Sequence, residues 1–183
     1  MDERALYLVV TGAPARDAPV ARLVAEAQRR GWAVTVISTP MGTRFHDPDE
    51  LERLTGAAPR VDFRRPGTGQ RLVPPDALLA CPLTFNSLNK IAAGFADTMA
   101  VAVVCEMLGY GVPTVAVPHV NAPLARHAAV EPSIAALRSM GARVLFDPDA
   151  PAERRTPPWD RVLDAVEEVW HRRPQPRAAT DPP

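Results

Sequence analysis

Residues 5–39, ALYLVVTGAPARDAPVARLVAEAQRRGWAVTVIST, decide the fold. Their first part, Ala5 to Gly12, is a continuous apolar run ended by Thr-Gly, the form of a strand buried on both faces of a parallel sheet. Val20, Leu23, Val24 and Ala27 then recur at helical spacing, with Asp17 expected to cap that helix and Gly31 to stop it. Trp32 to Thr39 follows after almost no linker as a second strand. Strand, helix and strand form a βαβ unit, and such a unit closes into a sheet with a right-handed crossover.

The same alternation continues outward. DPDELERLTG (47–56) reads as a short helix and RVDF (60–63) as a weak strand, while RRPGTGQRLVPP (64–75) carries enough Gly, Pro and Arg to be a loop. DALLACP (76–82) restores the buried-strand pattern, and a helix is expected from Asn86 to about Ala96. A further helix covers DTMAVAVVCEMLGYG (97–111), with Met99, Val103 and Met107 on one face. PTVAVPHV (113–120) is a strand, and NAPLARHAAVEPSIAALRSMG (121–141) is expected to be helical on both sides of Pro132, which either begins a new helix or kinks the existing one. ARVLFDP (142–148) closes the sheet, and WDRVLDAVEEVWHRR (159–173) is a last amphipathic helix. The fold class predicted is therefore α/β, a three-layer αβα sandwich around a parallel sheet. One domain spans residues 1–172, and residues 173–183, ending in PQPRAATDPP, form a polar tail expected to be disordered.

Composition narrows the function classes. At 183 residues and 46% hydrophobic, the chain suits one compact domain with a full core. Its 21 basic and 21 acidic residues cancel, and no basic run is interleaved with aromatics, which argues against nucleic acid as a partner. No apolar run approaches the length of a bilayer span, and even ALLACPL (77–83) and VPTVAVP (112–118) are broken by proline, so no membrane crossing is expected. The two cysteines, Cys81 and Cys105, lack metal-ligand spacing, so no metal site is expected and a reducing cytoplasm is the expected compartment.

In parallel sheets, ligands bind beyond the carboxyl ends of the strands. That rule selects the loops TGAPARD (11–17), STPMGTRF (38–45), CPLTFNS (81–87) and VPHVNAP (117–123), all on one sheet edge. TGAPARD has neither the three glycines of a dinucleotide fingerprint nor the Gly-Lys-Ser of a P-loop. It is a tight turn before a helix N-terminus, where free N–H groups favour an anion, and Thr39 adds a hydroxyl donor. Thr84, Asn86 and Ser87 supply short polar groups that either cap the following helix or hold the polar edge of a ligand.

PLTFNSLNKIAAGFAD (82–97) resembles the signature Pro-Ala/Leu-Ser/Thr-Ala-Asn-Thr, followed by Lys-Ile-Ala and Gly-Ile-Ala-Asp, of the FMN-dependent cysteine decarboxylase superfamily. Its members include phosphopantothenoylcysteine decarboxylases and the enzymes that oxidatively decarboxylate C-terminal cysteines of lantibiotic-type peptides. VPHVNAPL (117–124) is similar to the second signature, Pro-x-Met-Asn-x-x-Met, and the resemblance extends from Leu6 to Pro148. It implies a flavodoxin-like, Rossmann-type subunit that assembles as a homo-oligomer, a trimer or multiple of trimers, with FMN as cofactor. Gly12, Ala13 and Thr39 would then take the FMN phosphate, and Thr84, Phe85, Asn86 and Ser87 would line the flavin. Val120 and Asn121 match the second signature, whose Asn contacts the substrate carboxylate. In the family mechanism the flavin oxidises the cysteine side chain to a thioaldehyde, which loses CO₂ because the developing carbanion is delocalised. The implied substrate is a cysteine-containing small molecule or peptide C-terminus.

Several positions depart from the family pattern. Family decarboxylases carry an active-site His just before the strand that leads into the first signature, and PGTGQRLVPP (66–75) has none. Of the four histidines, His46 follows the second strand, His119 and His127 flank the second signature, and His171 lies in the last helix. His119 joins Asn121 as a candidate catalytic residue. The coenzyme-pathway enzymes also reduce their intermediate with a Cys, which DPDAPAERRTPPWD (147–160) lacks. Phe85 replaces a small Ala and Val120 replaces Met. Two other readings stand beside this one: a relative without catalysis that acts through assembly or flavin binding, suggested by the missing His and Cys, and a prenyl-FMN synthase-like transferase, which shares the fold and lacks the Cys, though TFNSLNK (84–90) follows the decarboxylase signature.

Overall fold

A computed structural model describes residues 4–13, 19–65, 67–68, 72–150 and 156–173. Five strands, β1 (Arg4–Val10), β2 (Trp32–Ser38), β3 (Ala77–Leu83), β4 (Thr114–Pro118) and β5 (Arg143–Val144), form one sheet in the order β2-β1-β3-β4-β5. Every pairing is parallel. The helices are α1 (Val20–Arg29), α2 (Pro48–Thr55), α3 (Phe85–Ala92), α4 (Met99–Gly109), α5 (Ala122–Ala125), α6 (Val130–Ser139) and α7 (Trp159–His171), with a 3₁₀ turn over Gly42–Phe45.

The strand period of two sends alternate side chains to opposite faces, and this divides the core in two. Leu6, Leu8 and Val10 join the cluster with Leu23 and Val24 of α1, Leu51 of α2 and Val162 and Leu163 of α7. Tyr7 and Val9 join Leu88 and Ile91 of α3, Val103 and Met107 of α4 and Ile134 and Leu137 of α6. The three expected layers are thus present, with α1, α2 and α7 on one face and α3, α4 and α6 on the other. Each fully buried leucine, such as Leu79 at 0% exposure, contributes about 1.5–3 kcal/mol.

Local chemistry sets the element ends. Val20, Leu23, Val24 and Ala27 do form the buried stripe of α1, and Gly31 takes the positive φ of +82° that ends it. The residue flanking its start is Pro19, with no side-chain cap, and Asp17 lies outside the described residues. Asp47 caps α2 by accepting from the N–H groups of Asp49 and Glu50. RVDF forms no named strand; its only ladder contact among the described residues is a bridge from Ile37 to Arg60. The helix begun at Phe85 ends at Ala92, short of Ala96. Pro132 is the third residue of α6, where its missing N–H costs no intrahelical bond. The tail from residue 174 onward lies outside the described residues.

Candidate functional site

The order β2-β1-β3 reverses the direction of the crossovers at β1, which opens a crevice between the carboxyl ends of β1 and β3. Hydrogen bonds join the loops along this edge. Thr11, 1% exposed, accepts from the Thr84 N–H at 2.8 Å and donates its hydroxyl to the Pro82 carbonyl at 2.9 Å, tying the β1 loop to the β3 loop. The His119 N–H donates to the Leu83 carbonyl at 2.8 Å, tying the β4 loop to β3. On the other side, the Thr39 N–H donates to the Val10 carbonyl at 3.0 Å. A Cβ on Gly12 would lie 2.5 Å from Cγ of Met41, so the β1 and β2 loops also touch. The four loops expected from the sequence stand in one row.

Within that row the expected residues divide by what they already hold. The Thr39 hydroxyl oxygen accepts from the Gly42 N–H at 2.9 Å, which leaves its own proton uncommitted among the described residues. Gly12 and Ala13 begin the loop after β1, and residues 14–18 lie outside the described residues. Thr84 caps α3: its oxygen accepts from the Ser87 N–H at 3.2 Å and its proton goes to Ser87 Oγ at 3.0 Å. Those two hydroxyls therefore fix the helix start. Asn86 is exposed beside them and makes no side-chain hydrogen bond among the described residues. The Phe85 ring is half-buried, meets His127 edge-on at 5.3 Å, and packs against the core cluster shared by α3 and α6.

The β4 loop carries the remaining candidates. Asn121 is exposed, and its Oδ1 accepts from the Leu124 N–H at 3.0 Å. That bond fixes the amide orientation and leaves both Nδ2 protons free to donate outward. Val120 is buried at 5% exposure, so its side chain belongs to the core. His119 is half-buried, with Nδ1 hydrogen-bonded to Thr156 Oγ1. One helical turn from Asn121, past α5, a groove of about 500 Å³ opens beside His127, Ile134, Arg138 and Phe146.

Two structural residues escape a sequence reading. Thr11 makes its contacts across 73 and 71 positions, and no local period signals them. Ser38, fully buried at the end of β2, sits 2.9 Å from Nε2 of His46. His46 is thereby a half-buried partner of the strand end, and burial pushes its pKa down against the opposing charge of Asp47.

The free donors on this edge, a threonine hydroxyl beside a glycine turn and an outward amide, suit a ligand with one anionic and one carbonyl-bearing end, and fit FMN in kind. Among the described residues no cluster could hold a metal ion. Among solved structures, the FMN-dependent cysteine decarboxylase SpaF is 23% identical with a TM-score of 0.68, over 92% of this chain and 97% of that one. The FMN binding protein AtHal3 is 16% identical with a TM-score of 0.75, over 94% and 100% of the two chains. The cypemycin decarboxylase CypD is 17% identical with a TM-score of 0.67, over 93% and 95%. These likenesses establish a shared fold, flavodoxin-like in its strand order. No curated protein matches the sequence. The model of the family described as Flavoprotein matches residues 1–171, and the chain belongs to that family.

Proposed function

We propose that the chain binds FMN at the β1/β3 crevice and oxidatively decarboxylates a cysteine-bearing substrate; its structural neighbour SpaF is named an FMN-dependent cysteine decarboxylase. The observation that carries the reading is the outward Nδ2 of Asn121, oriented by its own Oδ1 bond and standing in the row of loops that meets the crevice. Bound there, the isoalloxazine ring would supply a two-electron acceptor for the cysteine side chain. The protein's own residues bind and orient. Gly12, Ala13 and the Thr39 hydroxyl would hold the phosphate, and Thr84 and Ser87 fix the start of α3 beside the site. Asn86 would offer its amide to the polar edge of the flavin, and Phe85 and Val120 would supply apolar surface. Asn121 donates to the substrate carboxylate, which stays anionic until it leaves as CO₂. His119 is held by Thr156 close to Asn121 and is the nearest imidazole in sequence to that amide. The groove beyond α5 accommodates the part of a small molecule or peptide upstream of its cysteine. The subunits assemble as a homotrimer or a multiple of it, within the cytoplasm.

A preparation that carries flavin absorbance and releases FMN on denaturation supports the cofactor. A colourless protein that cannot be reconstituted removes it. In the loaded protein, Asn121→Ala is expected to abolish turnover of a cysteine-terminated peptide, and undiminished turnover refutes the role of the amide. A second reading, flavin binding without turnover, draws on the absence of histidine from residues 66–75 and of cysteine from residues 147–160. Loaded protein that turns over neither cysteine-terminated peptides nor small cysteine conjugates supports it.

A further inference from the structure

The end of β2 holds a side-chain pair that no role above uses. Ser38 Oγ donates its one proton to the Thr39 carbonyl at 3.1 Å, so toward His46 that oxygen acts as acceptor. Nε2 of His46, 2.9 Å away, is accordingly assigned the proton and Nδ1 the lone pair, because the reverse tautomer would bury an N–H. Nδ1 is buried and has no partner among the described residues. A second ring proton would meet no acceptor there, so the ring is held neutral.

This bond spans a short closed segment. It joins the last residue of β2 to the residue before the Asp47 cap of α2, and between them lie Thr39 and the 3₁₀ turn. Packing inside the segment is tight. A Cβ on Gly42 would fall 2.6 Å from Ser38 Oγ, 2.9 Å from the Val10 carbonyl oxygen and 3.1 Å from Thr39 Oγ1. The Gly42 N–H is also the donor that turns the Thr39 hydroxyl. The direction in which Thr39 presents its free proton thus depends on the position of Gly42, and that position depends on the Ser38 side chain.

We propose that His46 is a positioning residue for the phosphate end of the flavin. Its Nε2–H fixes Ser38, Ser38 fixes the Thr39–Gly42 turn, and the turn presents the Thr39 hydroxyl, preorganised, to a phosphate oxygen. The proposal rests on the reading that FMN places its phosphate at this turn.

The test titrates flavin-free, full-length protein with FMN and, separately, with riboflavin, which lacks the phosphate. Wild type is expected to prefer FMN by about a hundredfold or more, in line with charge-assisted phosphate bonds. His46→Ala is expected to lose about tenfold in FMN affinity and less than about twofold in riboflavin affinity, one preorganised bond being worth about that ratio. His46→Gln, whose amide nitrogen reaches the ε position and can still donate to Ser38, recovers most of the loss. Ser38→Ala reproduces the effect of His46→Ala, and the double variant is no weaker than either single one, because the three act through one bond. Equal losses for both flavins in the folded variants, or no loss for either, overturn the proposal while leaving the phosphate site intact. A wild type that binds FMN and riboflavin alike overturns the phosphate site itself, and the proposal with it. If His46→Ala does not fold, the comparison of His46→Gln with Ser38→Ala decides, since the first is expected to retain the FMN preference and the second to lose it.

Discussion

Thr11→Val tests whether the crevice is held open by one hydroxyl. Valine keeps the shape of threonine, so the change removes the two hydrogen bonds without leaving a void. The Thr84 N–H, 2.8 Å from Thr11 Oγ1, then loses its acceptor at a half-buried position, at a cost of about 1–3 kcal/mol. The Pro82 carbonyl loses the hydroxyl donor at 2.9 Å but keeps the Thr11 N–H at 3.2 Å, so its loss is smaller, about 0.5–1 kcal/mol. The sum is about 1.5–4 kcal/mol, or a fall of roughly 3–16 °C in Tm for a chain of this size. Thr11→Ser keeps both bonds and sheds one buried methyl group, for about 1 kcal/mol. Urea unfolding of the flavin-free protein at fixed concentration measures both, with the midpoint moving and the slope unchanged. A Thr11→Val protein within about 0.5 kcal/mol of wild type, the ordinary range of a surface change, refutes the reasoning. So does a Thr11→Ser protein as weak as Thr11→Val.

Other outcomes follow from packing and titration. The Arg4 guanidinium lies 4.4 Å from the Trp32 ring and 4.8 Å from the Trp170 ring, so Arg4→Met is expected to cost about 1–2 kcal/mol. Amide exchange should rise first in α7, and uniform exchange across the fold would contradict this. Gly42→Ala forces a Cβ onto Ser38 Oγ and the Val10 carbonyl, and is expected to cost about 1–3 kcal/mol in thermal unfolding. Because the folded pKa of His46 lies below its unfolded value, the unfolded chain binds more protons just below the ordinary histidine range. Stability therefore falls on acidification from about pH 6.5 down to the folded pKa, and His46→Asn should show a shallower slope there. Equal slopes in the two proteins would place the group's folded pKa at its ordinary value.

Much of the scaffold is legible because it depends on local period. The stripe Val20, Leu23, Val24, Ala27 and the apolar runs of β1 and β3 need only neighbours within a turn or a strand to declare themselves. The placement of the four loops on one edge follows from the parallel order. What escapes is set by contacts that no helix or strand period encodes. RVDF has a strand-like composition, yet the ladder beside Ile37 accepts it at a single residue. The side chains of Thr84 and Ser87 read in sequence as cap or as ligand groups, and the structure supplies the cap bonds that the sequence leaves open. His46 looks like a surface residue in sequence, and only the burial of Ser38 gives it a partner.

The cluster at the opposite edge of the sheet has a different consequence. Arg4, in the first described stretch, and Arg173, at the end of the last, both lie over the Trp170 ring, at 4.8 and 4.5 Å. Two points 169 positions apart in sequence thus share one indole, on the side of the sheet away from the site loops. A short linker from residue 173 back to residue 4 would turn the domain into a closed ring. New ends cut in the exposed segment at residues 62–65 would then give a circular permutant with its sheet order, its crevice and the row of site loops unchanged.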